Sequence, residues 1–325
     1  MKTLIKEELQ KAENNRTASV PTFSQRAFSS LLKGRIQRIP EAEGLYDNPS
    51  EVDAYTDKTK GGIVALIERL FIRRILAVFG HLAGLRVLDV GTGPGWIPTG
   101  LAAARPGWQI TGVDLSALML EKAERNAAAK GVRLQWIQAK ADDIPLPSGC
   151  FDLITSHFCF SEFPDGVKAQ EEMHRLLKPG GCLVIQDLER PAQWKLPFLM
   201  LWMSLANPFS KLNHQYFESL RGAYTAGELK EIFNGSGFQF VIRKSMRMAG
   251  GHLQVWAQKT GILPSGRTVF SDPTHKNRLT RSALKEGKKM RSVTHRFLGI
   301  VRSVFQPFKK EASFYSFLMN CLKDQ

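Results

Sequence analysis

The sequence has few cysteines and no apolar run long enough to cross a bilayer. Its four cysteines, in 325 residues, show neither a CxxC pair nor another metal-ligand spacing, so we expect neither a disulfide scaffold nor a metal site, and a reducing compartment is favoured. The longest apolar run, residues 196–209, is interrupted by Pro197 and Pro208, and no transmembrane helix is predicted. Residues 1–23 lack the apolar segment of a secretory signal. We expect a cytoplasmic protein.

Charge is concentrated at the two ends of the chain. The net charge is +15, yet residues 41–259 hold 24 Lys and Arg against 23 acids. Residues 260–325 hold 13 basic residues and four acids, and residues 1–40 hold eight and three. A basic tail on a nearly neutral body favours an anionic surface as the partner of the tail, whereas a nucleic-acid enzyme more often carries its charge around the cleft.

Strand and helix patterns alternate between residues 63 and 259. Strands are predicted at residues 86–90, 108–116, 133–141, 151–158 and 182–188. Helices are predicted at residues 63–79, 97–104, 117–131, 166–181 and 226–237. Two further strands, 238–246 and 252–259, are joined by a short connection that permits only antiparallel pairing. The pattern predicts an α/β fold: a Rossmann-like, doubly wound, seven-stranded sheet that is mostly parallel and ends in an antiparallel hairpin.

Three glycines follow the first strand in "RVLDVGTGPGWIPTG". At the carboxyl end of a first parallel strand the chain turns sharply into a helix, and glycines there let backbone N–H groups approach a ligand. The spacing is GxGxG rather than the GxGxxG of NAD enzymes, and the Lys-Ser/Thr pair of a P-loop is absent. We interpret Gly91, Gly93 and Gly95 as making room for a cofactor.

The chain resembles the class I S-adenosylmethionine-dependent methyltransferases, and among them the small-molecule branch of the ubiquinone and menaquinone C-methylases. Four ordered segments carry the resemblance: "VLDVGTGPG", "ITGVDLSALMLEKAERNA", "AKADDIPLPSGCFDLITSHF" and "EEMHRLLKPGGCLVIQD". It covers about residues 46–260. The resemblance implies an enzyme that uses S-adenosylmethionine to methylate a small, apolar or aromatic acceptor.

The resemblance also implies a set of cofactor-binding residues. In the family the first acid, here Asp89, and the glycine turn hold the methionine end, and the acid ending the second strand, here Asp114, accepts hydrogen bonds from both ribose hydroxyls. The alternative for Asp114 is a helix N-cap, a position for which Ser116 is better suited. The predicted cofactor-binding residues are Asp89, Gly91, Thr92, Gly93, Gly95, Asp114, Leu115, Ala141, Asp142 and Ser156.

The adenine end departs from the family pattern. Relatives read "GDAE" where this chain reads "AKAD" at residues 139–142, so Lys140 replaces the acid that receives the adenine amino group. The backbone of Ala141 could contact the ring, and Asp142 or Asp143 could act as the acceptor. The alternative is that these two acids only begin a solvated turn.

Two residues near the end of the fourth strand are candidates for catalysis. His157 lies where cofactor and acceptor are expected to meet, and an ordinary pKa near ~6.5 would suit a general base. The alternative is a histidine that packs beside the cofactor or caps the strand. Glu162 is the second candidate.

The substrate is expected at the insert of residues 191–225, which relatives use as a lid. Its aromatic content favours an apolar or aromatic acceptor, and the alternative is a helical pair with its own small core. The predicted substrate residues are Trp194, His214, Tyr216 and Tyr224.

The predicted domains are a basic extension (1–45), the methyltransferase domain (46–260, with the lid insert at 191–225) and a basic, amphipathic helical extension (261–325). The apolar stripes within residues 291–322 allow two interpretations: peripheral contact with the inner face of an anionic membrane, or packing on the domain or a second subunit. A homo-oligomer stays open. Nucleic-acid or protein methylation, and a non-catalytic scaffold that binds the cofactor, are the alternative functions.

Overall fold

The predicted alternation of strands and helices is present in the structure, a computed structural model that describes residues 38, 48–191, 219–246 and 251–260. The predicted basic extensions lie outside the described residues, apart from Arg38. So does most of the lid insert, including Trp194, His214 and Tyr216. The described residues hold the predicted seven-stranded sheet.

The strands of this sheet are β1 (Arg86–Val90), β2 (Gln109–Asp114), β3 (Gln135–Gln138), β4 (Phe151–His157), β5 (Leu177–Leu188), β6 (Phe238–Met246) and β7 (His252–Lys259). Their order across the sheet is β3-β2-β1-β4-β5-β7-β6. Strands β1 to β5 pair in parallel, and β7 pairs antiparallel with both β5 and β6. The predicted fold class is confirmed. Because β1 has β2 on one side and β4 on the other, the strand order reverses at β1, which is where sheets of this class bind ligands.

The described helices are α1 (Pro49–Thr59), α2 (Gly62–Phe79), α3 (Trp96–Ala104), α4 (Ala117–Ala129), α5 (Gly166–Leu176) and α6 (Ala226–Phe233), with a 3₁₀ turn at Phe160–Glu162. Among the helices of the described ranges, none combines the length and the apolar character needed to cross a bilayer.

Two hydrophobic clusters cover the two faces of the sheet. One packs Met173 of α5 and Phe233 of α6 against it, and the other packs Phe71 of α2 and Leu101 of α3. Coverage on both faces explains why β1, β4 and β5 are buried along most of their length.

The helix starts follow local side-chain chemistry. The Ser116 side chain accepts a hydrogen bond from the backbone N–H of Met119 and caps α4, as predicted. Asp165 accepts from the first turn of α5, and Thr225 forms a capping box with Glu228 at α6. Each cap satisfies N–H groups that have no partner inside their helix.

Two predicted helix ends are wrong. The helix predicted to be stopped by Pro179 and Gly180 ends earlier, at Leu176, and Leu177 already pairs with Phe151 as the first residue of β5. Pro179 disfavours a helical conformation for the residue before it, so the segment extends into the strand earlier than predicted. Helix α6 ends at Phe233 rather than at residue 237, because Asn234 is extended and Gly235 has a positive φ.

Candidate functional site

A cavity of ≈ 270 Å³ lies at the carboxyl ends of β1, β2 and β4, next to the point where the strand order reverses. Of the predicted cofactor residues, its wall contains Asp89, Gly91, Thr92, Gly93, Asp114, Leu115, Ala141 and Asp142. The structure thus brings together residues from three strand ends and the loop after β3. Gly95 and Ser156 do not line the cavity.

The three glycines of the turn after β1 have different roles. All three have positive φ, at +70°, +51° and +76° for Gly91, Gly93 and Gly95. A Cβ at Gly91 would lie 2.1 Å from Sγ of Cys159, and one at Gly95 would lie 2.8 Å from Cβ of Ala123. A Cβ at Gly93 would meet nothing within 4 Å. Only Gly93 therefore leaves space that a ligand could occupy, as predicted for all three glycines. Gly91 and Gly95 instead allow Cys159 and Ala123 to pack closely against the turn.

Asp114 ends β2 and holds the turn in place. Its Oδ2 accepts a hydrogen bond from the backbone N–H of Gly93 (2.7 Å), and its Oδ1 accepts from the N–H of Ser116 (3.0 Å). Burial raises the pKa of Asp114, and the backbone donors oppose that shift. Each carboxylate oxygen keeps a lone pair for a further donor. The carboxylate can therefore still receive two hydroxyls of a ribose, which fits the role that the resemblance implies.

Asp89 supports the turn from the side of the sheet. Its two oxygens accept hydrogen bonds from the hydroxyls of Thr92 (2.8 Å) and Thr155 (2.6 Å), and the residue is buried. Burial raises the pKa of Asp89 to about 7. Because Thr155 belongs to β4, Asp89 ties the glycine turn to the neighbouring strand as well as bordering the cavity.

The predicted adenine end is built from exposed residues. Leu115 is 51% exposed and borders the cavity, so an apolar surface is presented to a flat ligand. Lys140 and Asp142 border the same cavity, whereas Asp143, whose backbone N–H donates to the Lys140 carbonyl, does not. Of the two acids considered as substitutes for the missing one, only Asp142 is placed to serve.

His157 borders the cavity at the end of β4, as predicted, but its surroundings do not suit a general base. Burial, with a smaller contribution from His252 and Arg74, lowers the pKa of His157 to about 3. The imidazole packs against the rings of Phe71 and Phe158, with centroids 4.8 Å and 4.3 Å away. The premise of an ordinary pKa is wrong.

Hydrogen bonds also fix the tautomer of this imidazole. The Arg74 guanidinium, which can only donate, donates to Oε1 of Gln186 (3.2 Å), and the Gln254 amide donates to the same oxygen. The Gln186 amide nitrogen therefore faces Nε2 of His157, 3.1 Å away, as a donor. Nε2 must then be the acceptor and Nδ1 must carry the proton. The engaged lone pair and the aromatic contacts favour the alternative role, a histidine that packs beside the cofactor.

The remaining predicted residues divide between cavity and core. Glu162, in the 3₁₀ turn, borders the cavity. Ser156 is fully buried away from the wall, so its prediction as a cofactor residue is not supported. Tyr224 packs against Phe160 in the core, with ring centroids 5.8 Å apart, and the Arg38 guanidinium covers its ring at 4.1 Å. Tyr224 is predicted from the sequence to contact the substrate, whereas the structure places it in the core.

Sequence reasoning missed the part of the wall that comes from α1 and α2. Tyr55 and Glu68 line the cavity from these helices, and Trp96 lines it while its indole N–H donates to the Thr59 hydroxyl (2.9 Å). Glu68 had a signal: it is the single acid of α2, whose other charged residues are arginines. Phe158 also lines the wall. Among the non-glycine residues that the structure describes, it alone has a positive φ, at 54°. Such strain is frequent at functional sites.

The wall is acidic, in contrast to the basic ends of the chain. Its carboxylic acids are Glu68, Asp89, Asp114, Asp142, Glu162 and Asp165. Among the described wall residues, Lys140 is the lone lysine or arginine. Such a wall favours a ligand that carries positive charge.

Comparison with known proteins agrees with this geometry. Residues 87–181 match the family described as "Methyltransferase domain". The chain is 37% identical over 119 residues to the demethylmenaquinone methyltransferase of Thermus thermophilus, a match that covers 37% of the chain but only 54% of that relative, about half its length. It is 31% identical over 191 residues to that of Tropheryma whipplei, covering 56% of the chain and 78% of the relative.

A solved structure shows the same fold. The plantazolicin methyltransferase BpumL, in complex with a pentazolic desmethylPZN analogue and SAH, superposes with a TM-score of 0.54 at 15% identity, covering 67% of this chain and 94% of that one. At this identity the likeness concerns the fold.

Proposed function

Since the chain belongs to the class I S-adenosylmethionine-dependent methyltransferases of the quinone C-methylase type, we propose that it methylates a ring carbon of a small, apolar hydroquinone. The observation that carries the proposal is the 31% identity over 78% of the Tropheryma demethylmenaquinone methyltransferase. S-adenosylmethionine is the cofactor.

The cavity residues offer contacts to three parts of this cofactor. Asp114 would receive the ribose hydroxyls, the open space beside Gly93 would admit the cofactor's chain, and Leu115 would lie against the adenine. The bound cofactor supplies an electrophilic methyl group. The protein then contributes mainly by holding the acceptor in line with it, which in well-oriented reactions is worth roughly 7–11 kcal/mol.

The acceptor side of the cavity favours a neutral, aromatic molecule. Tyr55, Trp96, Phe158 and Phe163 present aromatic surface to the cavity, and aromatic rings pack well on such surfaces. The carboxylates of the same wall would repel the phosphates of a nucleic acid. Both features support a small hydroquinone over the nucleic-acid alternative.

Peripheral membrane contact is the second part of the proposal. It rests on the sequence: the basic charge of residues 260–325 and the apolar stripes within 291–322. An apolar quinone partitions into the bilayer, so contact with an anionic leaflet would bring the cavity close to its acceptor.

The test is an acceptor screen with the full chain. The protein is incubated with S-adenosylmethionine and a naphthohydroquinone that has an unsubstituted ring position, with and without anionic vesicles. S-adenosylhomocysteine and the mass of the product are measured. We expect one methyl group per ring, formed faster when vesicles carry the acceptor. The ring-methylated hydroquinone is the matched negative substrate.

Asp114→Asn serves as the control variant. Either orientation of the new amide places an NH₂ group against a backbone N–H of Gly93 or Ser116. Hydrogen bonds to charged groups are worth about 1.5–3 kcal/mol, so we expect a loss of cofactor affinity of about ten- to hundredfold. Methylation of an oligonucleotide or a protein, but of no hydroquinone, would overturn the proposal. Cofactor binding without product from any acceptor would favour the scaffold alternative.

A further inference from the structure

Glu68 is an acid that the fold directs toward the cavity. It lies on α2 three residues before Phe71, so the two side chains share a helix face. Phe71 packs on His157 at the end of β4. Glu68 is half-buried and borders the cavity, and within the described residues it makes no hydrogen bond. Partial burial of a carboxylate without a hydrogen-bond donor costs free energy, and a positively charged ligand beside it would offset that cost.

Glu68 lines the same cavity as the residues that are expected to hold the cofactor. The ribose contact is at Asp114 on β2, and the glycine turn follows β1. Glu68 lies one helical turn before Phe71, which packs against His157 at the end of β4, and Glu68 and His157 both line the cavity. The cofactor's sulfur is bonded to the ribose carbon chain, so a cofactor held at Asp114 and extending past Gly93 would bring its positive sulfur into the part of the cavity that this wall borders.

Several ionisable groups on α1, on α2 and after β4 lie around Glu68. Tyr55 of α1, with Cys159 and Glu162 after β4, share the cavity wall with it. The groups that also border the cavity are His157, Asp89, Asp114, Lys140, Asp142 and Asp165. On its own helix, Arg69 opposes the pKa shift of Glu68, and Arg74 is engaged with Gln186.

We propose that the Glu68 carboxylate faces the positively charged sulfur and makes the site prefer the cationic cofactor over its neutral-sulfur product. This inference rests on the cofactor of the proposed function and not on its acceptor. It assigns Glu68 a specificity role: retention of S-adenosylmethionine and release of S-adenosylhomocysteine once the charge is gone.

Proton release provides a direct signature of this role. Burial raises the pKa of Glu68 to about 8, so without a ligand the carboxyl is mostly protonated at neutral pH. A positive charge beside it lowers the pKa, and the proton leaves to solvent when the cation binds. S-adenosylhomocysteine carries no charge at sulfur and leaves the proton in place. The sulfonium also lowers the pKa of the cofactor's own amino group, so the contribution of Glu68 is the part of the difference between the ligands that Glu68→Gln removes.

The experiment is calorimetric titration of the full chain with each ligand, in two buffers of different ionisation enthalpy, between about pH 6 and pH 9. If the cation lowers the pKa of Glu68 by about one unit, the preference for S-adenosylmethionine rises about tenfold over this range. Glu68→Gln keeps the shape of the side chain, and for it we expect that the rise in preference due to Glu68 is lost while the affinity for S-adenosylhomocysteine is unchanged. Glu171→Gln, which removes an exposed carboxylate of α5 outside the cavity, should behave like the parent.

If the variant does not fold, titration of the parent near pH 6.5, below the range in which an α-amino group ordinarily titrates, still tests the role. Equal proton release with the two ligands would overturn the role of Glu68 while leaving the cofactor assignment intact. The role is likewise overturned if Glu68→Gln keeps the pH-dependent preference of the parent. Failure of the parent to bind either ligand would instead overturn the cofactor site itself, and the Glu68 role with it.

Discussion

Substitution of the glycines after β1 separates folding from cofactor binding. Gly93→Ala places a Cβ in open space, since nothing lies within 4 Å of that position. The cost is the left-handed backbone, at φ +51°, which is roughly 1–2 kcal/mol for a residue with a side chain. We expect a folded protein of slightly reduced stability whose cofactor affinity is lost, because the methyl group occupies the space that the ligand needs.

Gly91→Ala is expected to destabilise the fold much more than Gly93→Ala. Its Cβ would lie 2.1 Å from Sγ and 2.6 Å from Cβ of Cys159. Overpacking adds about 1–3 kcal/mol to the same backbone strain, so the total destabilisation is roughly 2–5 kcal/mol. Cys159→Gly removes both clashing atoms and should recover the overpacking part in the double variant, but not the strain.

The assay is urea unfolding for each variant, paired with calorimetric titration of S-adenosylhomocysteine. Non-additivity between Gly91→Ala and Cys159→Gly measures the contact between them. The reasoning is refuted if Gly93→Ala binds the ligand as tightly as the parent. It is also refuted if Gly91→Ala and Gly93→Ala are equally stable, since only one of them meets another residue.

Two further predictions concern ionisable groups. His157→Ala should change turnover at saturating substrates by less than about tenfold, because a general base contributes ~10²–10⁴-fold and the Nε2 lone pair of His157 is engaged by Gln186; a loss of a hundredfold or more with unchanged cofactor affinity would restore the base. Stability of the ligand-free protein, followed as the melting temperature, should fall as pH rises from about 6.5 to 8.5, since burial raises the pKa of Asp89 to about 7 and of Glu68 to about 8 and the folded state there holds protons that the unfolded chain has lost. Below about pH 6.5 His157 and His252, with pKa values lowered to about 3 and about 4, act in the opposite direction, because they are neutral in the folded state while the unfolded chain is protonated, so the dependence on pH is expected to be shallower there. A flat or rising curve above pH 6.5 would contradict this account.

Much of the fold was predictable because its signals are local. The apolar strands, the glycine turn and the Ser116 cap each lie within a few residues of the structure that they specify. The short link between β6 and β7 permits only one pairing, and the sheet has it. The errors fell at element ends, where Leu177 joins β5 rather than the helix because a neighbouring strand is available to pair with it.

The cofactor side of the cavity was predictable for the same reason. Asp114 follows a strand directly and precedes a capped helix, so its position at the sheet edge is determined by the chain on either side. Leu115 and Gly93 were placed by the same short segments. The resemblance to methyltransferases rested on these segments, and the relatives match through them.

The sequence by itself therefore determined the sheet, the glycine turn and the acid that ends β2, since these depend on neighbours along the chain. Only the tertiary structure decided what distant segments do to one another. It brought Glu68 and Tyr55 from the first two helices to the cavity wall. It distinguished Gly91, which faces Cys159, from Gly93, which faces open space. It also packed His157 against Phe71 and opposite the amide of Gln186. Burial at this place lowers the pKa of His157, which the residues next to it in the sequence do not reveal.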